Sequence, residues 1–302
     1  MTGPVGSTGP DAPAGGPATV RPFGERLADV LADAGPLCVG VDPHDWLLDA
    51  WGLGRDAAGV REFGLRVVEA TAGGAGVVKP QVAFFERFGS GGLAALEEVL
   101  AAARAAGLLV VGDAKRGDVG STMAAYAEAW TSPTSPLRVD ALTVSPYLGV
   151  GALAGSASAA RASGAGLFVL GATSNAEAHD LQSAVTATGP RAGRTVAAGI
   201  VEDVLDDNAA AGETRLGSIG LVLGATVDLA DRGVDVSRLT TTPVLAPGFG
   251  AQGATFADLP RRFGPAARSV LASVSRDLLS AGPRDLASAV LRSSEEARSC
   301  LA

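Results

Sequence analysis

The sequence predicts an α/β protein in which eight strands alternate with helices, and three observations support this prediction. Short apolar runs recur along the chain, Ala/Leu/Glu/Arg segments with helical spacing lie between them, and 302 residues, 47% of them hydrophobic, suffice for one large core. Continuous apolar strands alternating with helices are typical of a parallel sheet covered by helices. Eight such units over about 265 residues fit a single (β/α)8 TIM barrel, and an open doubly wound sheet is the alternative that the same pattern allows.

The eight predicted strands are short apolar runs, most of them rich in valine and leucine. They lie at residues 37–41, 76–84, 108–115, 141–145, 166–173, 219–226, 243–248 and 268–275. Helical spacing of the apolar residues is clearest at 93–107, 196–210 and 285–299. Two further stretches, 131–139 and 174–193, predict loop-rich excursions.

The first twenty residues differ from the rest of the chain in composition. They are rich in Gly, Pro, Ser and Thr and have neither a basic n-region nor an apolar h-region, so they predict a disordered tail over 1–20 and not a signal peptide. The barrel domain is then expected over 21–302. No apolar run reaches the length of about 18 residues that a membrane-spanning helix needs, so we expect a soluble protein without a membrane partner.

Charge and cysteine content exclude several classes of function. The formal net charge is −8, with 24 basic and 32 acidic residues and no Lys/Arg-rich run, which argues against a nucleic-acid partner. Cys38 and Cys300 form neither a CxxC motif nor a disulfide framework, so Cys38 is expected to be an inert core thiol and a reducing cytoplasm is the simplest compartment. With His44 and His179 as the only histidines, no metal site is predicted.

Residues 108–122, LLVVGDAKRGDVGST, contain the most informative pattern, because an apolar strand runs directly into Asp113, Lys115 and Asp118. Side chains alternate along a strand, so Asp113 and Lys115 are expected on the same face. The pattern predicts a compact carboxylate–ammonium cluster at the C-terminal end of the strand. The alternative is an ordinary ion pair plus a helix N-cap, with Asp118 capping a helix that starts near Val119.

This segment resembles the D-x-K-x-x-D signature of the orotidine 5'-phosphate decarboxylase family, and DAKRGDVGST is similar to its bacterial type 2 subfamily. Four more motifs appear in the order of that family: VGVDPH at 39–44, VVKPQVAFFE at 77–86, APGFGAQGA at 246–254 and SVSR at 273–276. The resemblance implies a TIM barrel that converts orotidine 5'-phosphate to uridine 5'-phosphate and CO2 in pyrimidine (UMP) biosynthesis. It also implies that no cofactor is used and that the protein is a homodimer with shared active sites.

The resemblance assigns the catalytic roles to four charged residues. Lys115 is expected to stabilise the charge that develops at C6 of the pyrimidine and then to deliver a proton there. Asp113 lies near the departing carboxylate, and Lys79 bridges Asp113 and a ribose hydroxyl. Asp118 completes the array from the neighbouring subunit. Without this resemblance, Lys79 would be interpreted as a strand-end lysine that extends its ammonium to solvent.

Phosphate recognition is predicted at the loops that follow the last two strands. The glycines of PGFGAQG, Gly250 among them, let backbone N–H groups approach an anion, and barrels often bind phosphate at this place. Arg276 ends the eighth predicted strand and can make a forked contact with phosphate oxygens. By resemblance, Gln252 lies in a mobile loop that closes over the phosphate and the pyrimidine.

Three more substrate contacts follow from the resemblance. Asp42 is expected to bind the ribose, although a turn residue before Pro43 is the alternative. Ser174 is expected to hydrogen-bond the pyrimidine, but Ala176-Glu177 follows where the family usually has Pro-Gly. Thr122 is expected to reach the ribose in the neighbouring subunit, and an ordinary hydroxyl in the first turn of a helix is its alternative.

Rival functions remain for such a barrel. One is a sugar-phosphate decarboxylase or aldolase in which a similar D-x-K-x-x-D set helps to bind magnesium. Another is a Schiff-base aldolase, which the two carboxylates beside Lys115 disfavour because imine formation requires a lysine with a lowered pKa. A non-catalytic protein that binds a phosphate ligand represents a different class, which the four-charge array disfavours.

Overall fold

The computed structural model describes residues 20–301 and contains a closed barrel of eight parallel strands. Each strand pairs with its neighbours in the chain, and the last pairs with the first, so the TIM-barrel prediction is confirmed and the open sheet is excluded. The strands are β1 Leu37–Val41, β2 Val77–Pro80, β3 Leu109–Arg116, β4 Ala141–Val144, β5 Gly166–Ala172, β6 Ile219–Leu223, β7 Val244–Pro247 and β8 Val270–Val274.

Helices surround the barrel and close its N-terminal end. They are α1 Phe23–Asp33, α2 Asp45–Ala50, α3 Ala57–Thr71, α4 Ala83–Glu86, α5 Gly89–Ala105, α6 Gly120–Thr131, α7 Ala154–Ala162, α8 Ala178–Ser183, α9 Val196–Ala210, α10 Asp258–Phe263, α11 Arg276–Leu279 and α12 Gly282–Ser299. Three 3-10 segments lie at Val150–Leu153, Val236–Leu239 and Gly264–Ser269. In this part of the chain, no helix is both long and apolar enough to cross a bilayer.

Outside the charged end of β3, the strands are mostly apolar because both of their faces are buried. One hydrophobic cluster joins the strands to the surrounding helices, and a second contains alternate strand residues together with Phe23 and Leu27 of α1. The ring of Phe23 packs edge-on against Phe168 of β5, with 5.9 Å between the ring centroids. Cys38 belongs to this second cluster, so its predicted place in the core is confirmed, and burial raises the pKa of its thiol to about 12.

Most predicted elements lie where the pattern places them, and one strand prediction is wrong at its end. The predicted helices at 93–107, 196–210 and 285–299 coincide with α5, α9 and α12 to within a few residues. The predicted strand 76–84 ends at Pro80, and its last residues enter α4, which buries Phe85 completely. Apolar composition does not distinguish a buried strand from one buried helical turn, which explains the error.

The two stretches predicted as loop-rich differ in their content of helix. Residues 132–140 contain neither helix nor strand, as predicted for 131–139, and the 174–193 excursion contains the short helix α8. The predicted tail, 1–20, lies outside the described residues except for Val20. The division into a tail and a barrel domain over 21–302 therefore stays a prediction.

Candidate active site

Most of the residues singled out in the sequence gather at one end of the barrel, because parallel strands present all their C-terminal ends on the same face. Lys79, Asp113 and Lys115 belong to strands β2 and β3. Four others lie in the segments that follow strands: Asp42 after β1, Ser174 after β5, Gln252 after β7 and Arg276 after β8.

The carboxylate of Asp113 is the centre of this group. Its Oδ2 lies 2.8 Å from Nζ of Lys79, and its Oδ1 lies 2.6 Å from Nζ of Lys115. Asp113 and Lys79 are buried, whereas the Lys115 side chain is 46% exposed. The array therefore has one ammonium enclosed in the barrel and one open to the mouth. These are the only two lysines in the chain.

Two neutral side chains also bind Asp113, and the sequence interpretation missed both. Thr143 Oγ1 lies 3.0 Å from Asp113 Oδ1. Gln81, with its amide nitrogen turned toward Asp113, donates to Oδ2 and accepts a hydrogen bond from Lys115 Nζ at 3.3 Å. Signals for both were present, since Gln81 directly follows the strand that carries Lys79 and Thr143 is the one polar residue of β4.

Asp113 and Lys79 are both buried, and their mutual attraction keeps both of them ionised. Burial by itself would raise the pKa of Asp113, but Lys79 and Lys115 outweigh it and hold the pKa of this carboxyl well below its usual range. Burial would likewise lower the pKa of Lys79, but Asp113 and then Asp42 outweigh it and raise that pKa above its usual value. Asp113 is therefore an anion and Lys79 a cation throughout the neutral range.

The backbone around Lys115 departs from the regular strand that the sequence predicts. Gly112 pairs with Leu142, but the next pair is Arg116 with Val144, so β3 has two residues more than β4 in this interval. Within residues 20–301, Lys115 is the only non-glycine residue in the left-handed region, with φ of 49°. Simple alternation is therefore the wrong reason for the proximity of Asp113 and Lys115. A bulge and a strained backbone turn the ammonium toward the carboxylate, and such strain typically costs about 1–3 kcal/mol.

The structure does not bring Asp118 or Thr122 into this array. Asp118 Oδ1 accepts a hydrogen bond from the N–H of Val119 at 2.7 Å, and neither lysine pairs with it. Helix α6 begins at Gly120, and its N-cap is Val119, without a side-chain cap, so the alternative in which Asp118 caps this helix is wrong. Thr122 is exposed in the first turn of α6. The compact cluster formed by this chain thus contains three charges, those of Lys79, Asp113 and Lys115, and not four.

Asp42 is both a turn residue and a ligand candidate. Its carbonyl accepts a hydrogen bond from the N–H of His44 at 2.8 Å, as a turn before Pro43 requires. Its Oδ1 is buried and has no hydrogen-bond partner within the described part of the chain. An unpaired buried carboxylate oxygen is costly, so a hydroxyl of a ligand would stabilise it.

The loops after β5, β7 and β8 contact one another at the same mouth of the barrel. Ser174 Oγ lies 3.3 Å from Gln252 Oε1. Gly250 has φ of 71°, and a Cβ there would lie 2.2 Å from a carboxylate oxygen of Asp277, so only glycine fits. The N–H of Gly250 donates to the carbonyl of Ala254, so this conformation does not offer that group to an anion.

Fold and site together define a class: TIM-barrel enzymes with a Lys–Asp–Lys array at the mouth. The model of the orotidine 5'-phosphate decarboxylase / HUMPS family matches residues 35–290. The chain is 54% identical over 265 residues to the orotidine 5'-phosphate decarboxylase of Streptomyces coelicolor, covering 87% of this chain and 92% of that one. The enzyme of the same name from Nocardioides sp. is 53% identical, with 92% and 99% covered. The chain therefore belongs to this family, and the resemblance of its motifs is confirmed.

Solved structures agree with these relatives. A Streptomyces avermitilis protein, solved as a candidate orotidine 5'-phosphate decarboxylase, superposes with a TM-score of 0.87 at 54% identity, covering 93% of this chain and 96% of that chain. The Leishmania donovani OMP decarboxylase superposes with a TM-score of 0.73 at 31% identity, covering 92% and 98%. The barrel fold is thus shared over nearly the full length of this chain.

Proposed function

We propose that this chain decarboxylates orotidine 5'-phosphate to uridine 5'-phosphate and CO2, the reaction for which its bacterial relatives are named. The observation that carries the proposal is the Asp113 carboxylate held between a buried Lys79 and an open Lys115 at the mouth of the barrel. The enzyme is then a carboxy-lyase of pyrimidine biosynthesis. It requires no cofactor, since protein charges supply the stabilisation.

In the proposed reaction, Lys115 has the main catalytic role. When the bond between C6 and the carboxylate breaks, CO2 leaves and the electron pair remains at C6 in an sp² orbital that no ring carbonyl delocalises simply. A positioned ammonium stabilises this charge and then transfers a proton to C6. Lys115 becomes neutral in that step and regains its proton from solvent, to which its side chain is open.

Asp113 and Lys79 supply a preorganised electrostatic frame. Both are buried and joined at 2.8 Å, so their charges need not reorganise during the reaction. Oδ1 of Asp113 binds the ammonium of Lys115, and Oδ2 binds the ammonium of Lys79. We place the departing carboxylate next to Asp113 and a ribose hydroxyl next to Lys79.

The remaining contacts hold the substrate at its two ends. Asp42, with its unpaired oxygen beside Lys79, would accept a hydrogen bond from the ribose. Arg276, exposed at the start of α11, would bind the phosphate together with the loop that contains Gly250. Contact of Ser174 with Gln252 joins the loops that would close over the pyrimidine and the phosphate.

A second subunit would complete the site. Asp118 and Thr122 lie near the mouth but outside the array, on a segment that also exposes Val119. Two other large apolar side chains, Tyr147 and Leu148, are 75% and 53% exposed in the loop after β4. A symmetric homodimer would cover such a surface and bring each Asp118 to the partner's pocket.

The cellular setting follows from the chain's chemistry. Cys38 and Cys300 are both unpaired, which suits a reducing cytoplasm. The net charge of −8 supports neither a nucleic-acid partner nor an anionic surface as partner.

Turnover of orotidine 5'-phosphate, followed by its loss of absorbance with and without EDTA, tests the proposed reaction against its rivals. Both oxygens of Asp113 are already taken by ammonium groups, which leaves little negative charge for a divalent ion, so activity should survive the chelator. Turnover that EDTA abolishes and magnesium restores would favour the sugar-phosphate chemistry. Binding without turnover would favour the non-catalytic phosphate binder.

Heterodimers test the shared site. Mixing Lys115→Ala and Asp118→Ala subunits should produce heterodimers with one doubly damaged site and one intact site. They should recover about half the activity of a wild-type dimer if the sites are independent, while both parent homodimers are nearly inactive. Purified heterodimers without recovery would show that Asp118 acts within its own subunit.

A further inference from the structure

The hydroxyl of Thr143 joins both members of the Lys115–Asp113 pair. Thr143 lies in the middle of β4 and is 1% exposed. Its Oγ1 lies 2.9 Å from the backbone nitrogen of Lys115, 3.0 Å from Asp113 Oδ1 and 3.5 Å from the carbonyl oxygen of Gly112. One hydroxyl thus contacts the backbone of the ammonium-bearing residue and the carboxylate that holds the ammonium.

The direction of these hydrogen bonds follows from the groups involved. A backbone N–H can only donate, so Oγ1 accepts from Lys115. The single proton of the hydroxyl is then free for one acceptor. Asp113 Oδ1 is both nearer than the Gly112 carbonyl and charged, so the hydroxyl donates to Asp113.

The bulge in β3 explains why this hydroxyl is needed. Between the Gly112–Leu142 and Arg116–Val144 pairs, β3 has no regular ladder with β4, and the Lys115 N–H has the Thr143 side chain as its acceptor. Without this hydroxyl the partly buried N–H would lose its protein partner, at a residue whose left-handed backbone is already strained. The hydroxyl therefore replaces a missing backbone partner at the point where Lys115 turns back toward Asp113.

We propose that Thr143 is a positioning residue for the decarboxylation, which keeps Lys115 in its left-handed conformation and fixes the orientation of the Asp113 carboxylate. Thr143 does not act on the substrate itself. Thr143 fixes the position of Nζ of Lys115 relative to the substrate. A displacement of a catalytic group by about 1 Å can reduce a rate about 100-fold. This inference rests on the proposed function.

Thr143→Val and Thr143→Ser test the proposal. Valine keeps the shape of threonine and removes the hydroxyl, whereas serine keeps the hydroxyl. Thr143→Val should lower kcat about 100-fold while KM and the dissociation constant of uridine 5'-phosphate change less than about threefold. Thr143→Ser should restore kcat to within about threefold of wild type. If the valine variant does not fold, Thr143→Ala takes its place in the comparison with Thr143→Ser.

Thr71→Val is the matched control. Thr71 is also fully buried and its Oγ1 donates to the carbonyl of Val67 at 2.7 Å, but it lies at the end of α3 before β2, away from the mouth. This variant should lose stability without losing kcat. Equal losses of kcat in Thr71→Val and Thr143→Val, or no recovery with serine, would overturn the positioning role. Wild-type protein that does not turn over orotidine 5'-phosphate would instead refute the proposed function.

Discussion

Replacement of Lys115 by alanine should separate catalysis from stability in this protein. The Lys115 side chain is 46% exposed, and its ammonium is paired with Asp113 at 2.6 Å. When the ammonium is removed, Asp113 keeps its ion pair with Lys79 and its hydrogen bond from Thr143. The buried carboxylate is therefore not left without partners.

The expected magnitudes follow from this difference in exposure. Half-exposed ion pairs contribute about 0–1 kcal/mol, and alanine experiences the same left-handed strain as lysine, so the free energy of unfolding should change by about 1 kcal/mol or less. Loss of a positioned proton donor costs about 10²–10⁴ in rate, and loss of the stabilising charge costs about 10²–10³ more, so kcat/KM should fall at least about 10⁴-fold. Lys79→Met provides the contrast, because it removes the buried partner and leaves Asp113 with only the half-exposed Lys115 as a counter-charge. Its loss of stability should exceed that of Lys115→Ala and approach the value of about 3–5 kcal/mol that is typical of a broken buried pair.

Absorbance assays of orotidine 5'-phosphate and urea unfolding of the three proteins measure both quantities. Retention of more than a few per cent of wild-type activity in Lys115→Ala would remove Lys115 from the mechanism. A loss of stability in Lys115→Ala as large as that in Lys79→Met would refute the argument from exposure.

Three further outcomes are expected. Arg276→Ala should lose several kcal/mol of transition-state stabilisation, because phosphate binding helps to drive loop closure. Much of this loss should vanish when the substrate is the phosphate-free nucleoside. An equal fall in kcat/KM for both substrates would show that Arg276 does not bind the phosphate. The lowered pKa of Asp113 means that its contribution to stability is present above its unfolded value of about 3.9 and is lost as the pH falls through the lower folded value. Urea unfolding should therefore show a difference between wild type and Asp113→Asn that is constant from about pH 5 to 9 and shrinks below about pH 4; a decline near neutral pH would contradict the lowered pKa. An amine-reactive reagent should inactivate the enzyme by modifying Lys115, because the other lysine, Lys79, is buried, and uridine 5'-phosphate should protect it; peptide mass spectrometry that finds Lys79 modified first would contradict this order.

Local sequence determined the elements and the end of the barrel at which the chemistry lies. Runs such as LCVGV at 37–41 are apolar at every position, which a strand needs when both faces are buried. Charged residues such as Asp113 and Lys115, at the end of such a run, lie at the C-terminal end of a parallel strand. All such ends share one face, so the mouth could be predicted from the position of these residues in their strands.

Tertiary structure alone decided how the barrel closes and how the site is completed. Pairing of β1 with β8 joins residues more than 200 positions apart in the chain, and no local pattern specifies that register. The bulge in β3, the left-handed backbone of Lys115 and the position of Asp118 outside the array depend on how β3 fits against β4. The partners of Asp113 depend on the same register, because whether Thr143 meets a carboxylate and an N–H is set by the alignment of two strands and not by either strand alone.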